Sequence, residues 1–384
     1  MVLMLVILCL SLKTPLKKVY NLNMFIGFVP LSFLISFLIS SLLIYLDKRA
    51  AKFGDINIRE SEHTLHKKSI SRFGGVAIYL STFLTILATY YLGFEWNAIN
   101  IIIFLGFCFP AFIIGLIDDF KFYMSPLLRL ILLIPTPMLF FIYGDIRVTN
   151  LDLGYFDDFL QIEILAIAFF CFAIVGMMNA FNLIDGINGQ LCSYLISIIV
   201  ALKLMEYLTG NNLDLSPEFK YFTNIFLGSL IGFFILNLYG KIFLGDAGAY
   251  FLGSIVCVAL IYAQQVNNFS PWAVMLILAY PFTDLIFSVI RRRYITGGDF
   301  MHPDAEHLHH VIYKRLKKLK FQDDRMRHLF VVVFLTILNF PYIMAAIYFA
   351  NNTAALISIF IMYLFSYLLV YFSLSPRFLL RSEK

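Results

Sequence analysis

Four short polar stretches carry the residue types that could do chemistry in this chain. GLIDDF (115–120) ends on the adjacent carboxylates Asp118 and Asp119, NAFNLIDGING (179–189) sets Asn179, Asn182 and Asp185 at every third position, FLGDAGAYFLG (243–253) holds Asp246, and HPDAEHLHH (302–310) holds His307, His309 and His310. The oxygen-only side chains of the first three stretches suit a hard divalent cation such as magnesium rather than zinc, which asks for His or Cys. Imidazoles donate hydrogen bonds to phosphate oxygens, and so do the arginine forks and lysines that follow them in the same loop. An HxHH cluster alone also resembles a zinc site, but no cysteine stands near it. A fifth stretch, residues 47–72, adds His66, Lys67, Lys68 and Arg72 ahead of Gly74 and Gly75.

Each stretch also has a plainer reading. The Asp pair could mark a membrane border, the Asn and Asp residues could be solvated at a helix C-cap, and Asp246 could cap the helix that follows it. The basic residues could serve only as a positive-inside anchor.

The elements that must position these residues are set by composition. Of the 384 residues 61% are apolar, 17% aromatic and only 14% charged, against a soluble norm of roughly a quarter charged. Crossing a bilayer takes about 20 apolar residues. Eleven such spans can be read: 24–46, 73–92, 99–117, 127–143, 160–178, 190–208, 221–239, 248–265, 272–290, 329–350 and 353–373. Backbone groups in hydrocarbon must be satisfied within each segment, and the period-two pattern of a barrel is missing. The expected fold is therefore all-α, a polytopic membrane bundle with one catalytic domain over 24–373, an N-terminal stretch 1–23 and a basic tail 374–384.

Loop charge orients the bundle. One alternating set of loops carries 23 of the 29 Lys and Arg residues, the opposite set five, and Lys203 lies within a span. The rich set is expected to be cytoplasmic, and all the polar motifs fall on that side. The residues 1–23 fit less well, because Lys13, Lys17 and Lys18 would then lie outside; they read as a signal-like stretch, or Met24 is the start. Cys9, Cys108, Cys171, Cys192 and Cys257 all sit in apolar stretches without metal or disulfide spacing and read as packing residues. Asp284 is expected to pair with Arg291 two turns on, Lys203 to pair with Glu206, and the segment IRVTNLDL to allow a short outer hairpin.

These residues together resemble the polyprenyl-phosphate N-acetylhexosamine-1-phosphate transferases, and within them the WecA-like group. The family's ordered signature is a basic loop ending in RxGG, a GxxDD helix end, NAxNxxDGxxG, GDxGxxxLG and a closing PDxxHxHH. All five occur here in that order between about Lys48 and His310. This chain departs at Ser69 and Ser71, where the family often has prolines, at Phe122 in place of a third acid, at Ala305 in place of Arg, and at Asn188 and Gln190 in place of Asp and Leu.

The resemblance implies transfer of an N-acetylhexosamine 1-phosphate from a UDP-sugar, UDP-N-acetylglucosamine first among the candidates, to undecaprenyl phosphate with release of UMP. It implies Asn182 and Asp246 as ligands of magnesium, for which manganese could substitute. Asp118, Asp119 and Asp185 would be catalytic, the first two facing the acceptor. Asn179, Arg72, His307, His309 and His310 would bind substrate. The implied partners are the two substrates, the lipid bilayer of a bacterial cytoplasmic membrane and a second copy of the chain, with no nucleic acid. A secondary transporter would gather its polar groups at the bilayer midplane, and an intramembrane prenyltransferase would show paired DxxxD-type motifs. Neither pattern is present in this sequence.

Overall fold

The computed structural model describes residues 17–52, 70–92, 97–120, 124–208, 215–296, 306–319, 321 and 323–375. Among these the regular structure is helical: α1 (Lys17–Lys52), α2 (Gly74–Tyr91), α3 (Ala98–Phe107), α4 (Phe109–Asp119), α5 (Pro126–Leu133), α6 (Pro135–Tyr143), α7 (Tyr155–Leu160) and α8 (Glu163–Ile184). Then come α9 (Gln190–Leu208), α10 (Pro217–Leu238), α11 (Gly245–Asn267), α12 (Pro271–Ile277), α13 (Ala279–Arg291), α14 (Leu308–Lys318), α15 (Asp324–Tyr348) and α16 (Thr353–Leu374). Nine stretches among the described residues are long and apolar enough to cross a membrane, and two bent pairs bring the total to 11. The chain is a polytopic, all-α membrane protein, and each span expected from the sequence has its helix or bent helix pair.

The two bends have a local cause. The α3–α4 pair bends by 45° just before Pro110, and the α12–α13 pair bends by 74° just before Pro281. Proline has no N–H to give to the carbonyl four residues back. Behind Pro281 that carbonyl is Ile277 O, and the Tyr194 hydroxyl donates to it from α9. At the other bend the Thr136 hydroxyl accepts the N–H of Ala111 at 2.9 Å.

α11 is the axis of the bundle. It packs on α2, α4 and α8, and nearly every residue from Ala247 to Ala263 is buried. α1 lies along α10, where the Ser36 hydroxyl donates to Ser229 O at 2.7 Å. In lipid, close helix contact with an interhelical hydrogen bond supplies the association that a hydrophobic driving force supplies in water.

Three expectations change here. No hairpin forms over the outer segment: Asp157 accepts the N–H groups of Leu151 (2.6 Å) and Leu153 (3.2 Å), and Asp152 accepts the hydroxyls of Ser270 and Thr353, each at 2.7 Å. Carboxylates that cap the local backbone remove the donors a ladder would need. Glu206 pairs with Lys220 of α10 at 2.7 Å while Lys203 reaches the Thr223 hydroxyl at 3.4 Å, so this polar pairing crosses between helices. Among the described residues the first helix already includes Lys17, ahead of the expected 24. Cys108, Cys171, Cys192 and Cys257 are buried and free, as expected, while Cys9, residues 1–16 and the tail from 376 lie outside the described residues.

Candidate active site

The last turn of α4 presents Asp118 and Asp119 about 100° apart around the helix, so the two carboxylates diverge. Asp119 turns inward and is buried. Its Oδ1 accepts the N–H of Asp246 at 2.9 Å and its Oδ2 the N–H of Ala247 at 3.0 Å. These are among the orphan donors at the start of α11, where the helix dipole also favours a negative charge. The cap of α11 is therefore supplied from another helix, and Asp246 does not cap its own. The approach requires glycine at 245: its φ is +78°, and a Cβ there would lie 2.1 Å from Arg72 O and 2.5 Å from Asp119 Oδ2.

Asp118 takes a different partner, Arg129 of α5, with Nη1 at 2.6 Å from Oδ2. The same guanidinium nitrogen stands 4.0 Å from Asp246 Oδ2, so Arg129 lies between the two acids.

From α8, Asn182 donates its amide to Asp246 Oδ1 at 2.8 Å, which joins two of the motifs directly. The expected stripe of Asn179, Asn182 and Asp185 is only partly formed. Three residues on a helix of 3.6 per turn drift by about 60° per step, so the outer members of the set diverge by about 120°. Asn179 accordingly turns its amide back onto Val175 O at 2.9 Å. Asp185 ends the helix, and burial, with the charges of Asp246 and then Asp119 beside it, pushes its carboxyl well above the usual carboxylate range.

Two residues that the motifs did not flag hold the loop after Asp185. Gly189, at φ +84°, donates its N–H to Asn237 Oδ1 at 2.6 Å, while Asn237 Nδ2 donates to Ile242 O at 2.8 Å. One buried side chain thus fastens the 185–189 loop to the strand-like segment before Asp246. His328, buried at the start of α15, accepts the Asn188 N–H at 3.2 Å. Asn237 sits inside an apolar span with no polar sequence neighbour to mark it, whereas His328 follows the charged run DDRMR at a span border and reads there as one more polar border residue.

The histidine segment meets this loop face to face. A Cβ on Gly186 would stand 2.5 Å from His309 Nε2 and 2.9 Å from the His310 ring. His307 and His309 lie parallel, 3° apart with centroids at 5.7 Å, and the His309 and His310 centroids are 4.2 Å apart. Burial, then the adjoining His310, hold His309 well below the usual imidazole range. The expected Asp284–Arg291 pair does not form: Arg291 bonds Glu306 at 2.5 Å, and Asp284 takes His307 Nδ1 at 2.7 Å. Two turns separate Asp284 from Arg291 by about 10 Å along the axis, and nearer partners win.

Arg72 is exposed at the rim. Its neighbour Ser71 forms an isolated parallel bridge with Ile242, and the N–H groups of Gly74 and Gly75 donate to Phe243 O and Leu244 O at 2.9 and 2.8 Å. His66, Lys67, Lys68, Ser69, Phe122 and residues 302–305 lie outside the described residues. Lys314, Arg315, Lys317 and Lys318 form the exposed face of α14, whose other face buries Val311, Ile312 and Leu316.

Among the described residues no group of three or more His, Cys, Asp and Glu stands close enough to hold a metal by itself. Asp246 and Asn182 supply one carboxylate and one amide, with the mutually repelling Asp185 and Asp119 beside them. That set suits a hard cation that keeps several waters and takes its remaining oxygens from phosphates.

Residues 101–264 match the family model described as glycosyl transferase family 4, a span that contains Asp118, Asp119, Asn179, Asn182, Asp185 and Asp246. The chain is 27% identical over 288 residues to the probable undecaprenyl-phosphate N-acetylglucosaminyl 1-phosphate transferase of Bacillus subtilis, covering 73% of this chain and 76% of that protein. It is 28% identical over 295 residues to the undecaprenyl-phosphate alpha-N-acetylglucosaminyl 1-phosphate transferase of Thermotoga maritima, covering 75% and 81%. It is also 27% identical over 291 residues to the phospho-N-acetylmuramoyl-pentapeptide-transferase of Borrelia garinii, covering 70% and 75%.

Proposed function

We propose that this chain, residues 101–264 of which match glycosyl transferase family 4, transfers an N-acetylhexosamine 1-phosphate, with N-acetylglucosamine as the first candidate sugar, from its UDP donor to undecaprenyl phosphate. The observation that carries this reading is the junction of motifs at one end of the bundle: Asn182 bonded to Asp246 at 2.8 Å, with the histidine cluster closed against Gly186. A lipid phosphate and a cytosolic nucleotide can meet only at a membrane surface, and the names of the relatives support the acceptor and the sugar. The loop charges support a cytoplasmic position for that end.

In the proposed reaction an oxygen of the lipid phosphate attacks the sugar-linked phosphorus in line. A new P–O bond forms, the bond from that phosphorus to the bridging oxygen breaks, and UMP leaves with the electron pair. A phosphate monoester with a second pKa near 6 is already largely dianionic at neutral pH, so no strong base is required. Asp118, held by Arg129, then serves to position the acceptor rather than to take a proton. Asp119 shapes the site by fixing the first turn of α11 and with it Asp246. His307, His309 and His310 offer nitrogens to the phosphate oxygens, and Arg72 closes the rim. Asp246 and Asn182 would hold magnesium, which when bound supplies positive charge where the anionic phosphates meet.

UMP release from a panel of UDP-N-acetylhexosamines and from UDP-N-acetylmuramoyl-pentapeptide, with and without undecaprenyl phosphate and magnesium, tests this. Release from UDP-N-acetylglucosamine that needs both additions supports the proposal. Release only from the pentapeptide donor reassigns the sugar, and silence from folded protein across the panel ends the transferase reading. A phospho-enzyme isolated without the lipid would replace direct attack by a covalent aspartyl intermediate.

A further inference from the structure

Asp284 lies in the middle of α13, fully buried and outside every motif that suggested chemistry. Its Oδ2 lies 2.7 Å from His307 Nδ1, and its Oδ1 accepts the Leu308 N–H at 3.1 Å and the Tyr367 hydroxyl at 2.7 Å. The carboxylate thus grips the histidine segment twice, by ring and by backbone, and is itself held by α16. A carboxylate only accepts, so the proton on this bond sits on Nδ1 of His307. The remaining ring nitrogen, Nε2, is buried with no partner.

His309 repeats the arrangement with a neutral group. Its Nδ1 lies 3.3 Å from the Tyr280 hydroxyl, and its Nε2 is also buried without a partner, against Gly186. Buried polar atoms are nearly always bonded, and with His309 Nε2 facing the Gly186 turn directly after Asp185 these two nitrogens are atoms a ligand can satisfy.

We infer that Asp284 is a positioning residue for the transfer: it accepts the hydrogen bond of His307 Nδ1–H and so fixes the ring's rotation and tautomer, leaving Nε2 as the atom offered to a substrate phosphate. This rests on the phosphotransferase reading of the site. The physical warrant is general, since a carboxylate bonded to one ring nitrogen of a histidine fixes which nitrogen is free and where it points. Its volume and hydrogen bonds within the fold could be met by Asn, but an amide can donate to Nδ1 and thereby select the opposite tautomer.

The test uses the full-length protein in detergent, with UMP release followed against UDP-N-acetylglucosamine and undecaprenyl phosphate, and thermal melting followed in parallel. The variants are Asp284→Asn, His307→Gln and the pair together, Gln being chosen so that turnover remains measurable. Asp284→Asn is expected to lower kcat by about tenfold to a hundredfold. In the His307→Gln background it should lower kcat no further, because the group it positions is gone. Losses that multiply, or a loss tracked entirely by a lower melting temperature, would make Asp284 a packing residue and overturn the inference. Where Asp284→Asn does not fold, Tyr367→Phe removes one donor from the same carboxylate. It should give a smaller loss that likewise vanishes behind His307→Gln; a loss that persists there overturns the inference. Wild-type protein that releases no UMP from any donor of the panel removes the premise, whereas active wild type with an equally active Asp284→Asn removes only this inference.

Discussion

At the scale of single residues, two acids from different motifs meet at the start of α11 and use their oxygens differently. Asp119 spends both oxygens on the backbone of α11, whereas Asp246 shares one oxygen with Asn182 and keeps the other 4.0 Å from Arg129. The consequences of removing them should differ in kind. Asp119→Ala strips a charged cap from a buried helix start, and should destabilise the protein by about 2 kcal/mol, the scale of hydrogen bonds to a charged group. A melting temperature equal to that of wild type would contradict this. Asp246→Asn keeps the shape and removes the charge, so folding should be nearly unchanged while UMP release drops roughly a hundredfold or more, the cost of losing one charge-stabilising group in a transition state. Retained turnover would remove Asp246 from the reacting centre.

At the scale of elements, the crossing of α4 and α11 is what brings the first and third motifs together, and it depends on residue 245 having no side chain. Gly245→Ala should strain a backbone at φ +78° and drive a methyl into Arg72 O, at a cost of roughly 1–3 kcal/mol. Melting together with UMP release checks it, and a variant as stable and active as wild type would show that the loop relaxes freely. The helices themselves were legible, because runs of apolar residues of bilayer length have one structural solution. The bends at Pro110 and Pro281 were not, although both prolines were visible, since the two halves of each span are equally apolar and hydropathy does not register a 74° turn. The cap from Asp119 to residue 246 was also invisible: its partners stand 127 positions apart, and a local reading assigns such a cap to the nearest acid. Asn237, His328 and Asp284 were missed or misassigned for a related reason. Asn237 and Asp284 stand isolated in apolar runs, His328 is hidden among the charges of DDRMRH, and the partner of each is fixed only by the packing of other helices.

At the scale of the whole molecule, the motifs gather at one end of the bundle, and the outer acidic segment is stitched to α12 and α16 through Asp152. The proposed function puts the motif end at the cytoplasmic surface, where a nucleotide sugar is available, in keeping with the distribution of basic residues. Lys241 and Asp158 are both exposed, one beside Asp246 in sequence and the other in the acidic segment, while the cysteines of the described residues are buried. Single replacements Lys241→Cys and Asp158→Cys can therefore be read with a membrane-impermeant maleimide in intact cells. Asp158→Cys should label directly, and Lys241→Cys only after the membrane is opened. The reverse pattern would put the phosphates' meeting place on the outer surface, where UDP-sugars are not supplied. The transferase proposal would then fail on topology even with every contact in the site intact.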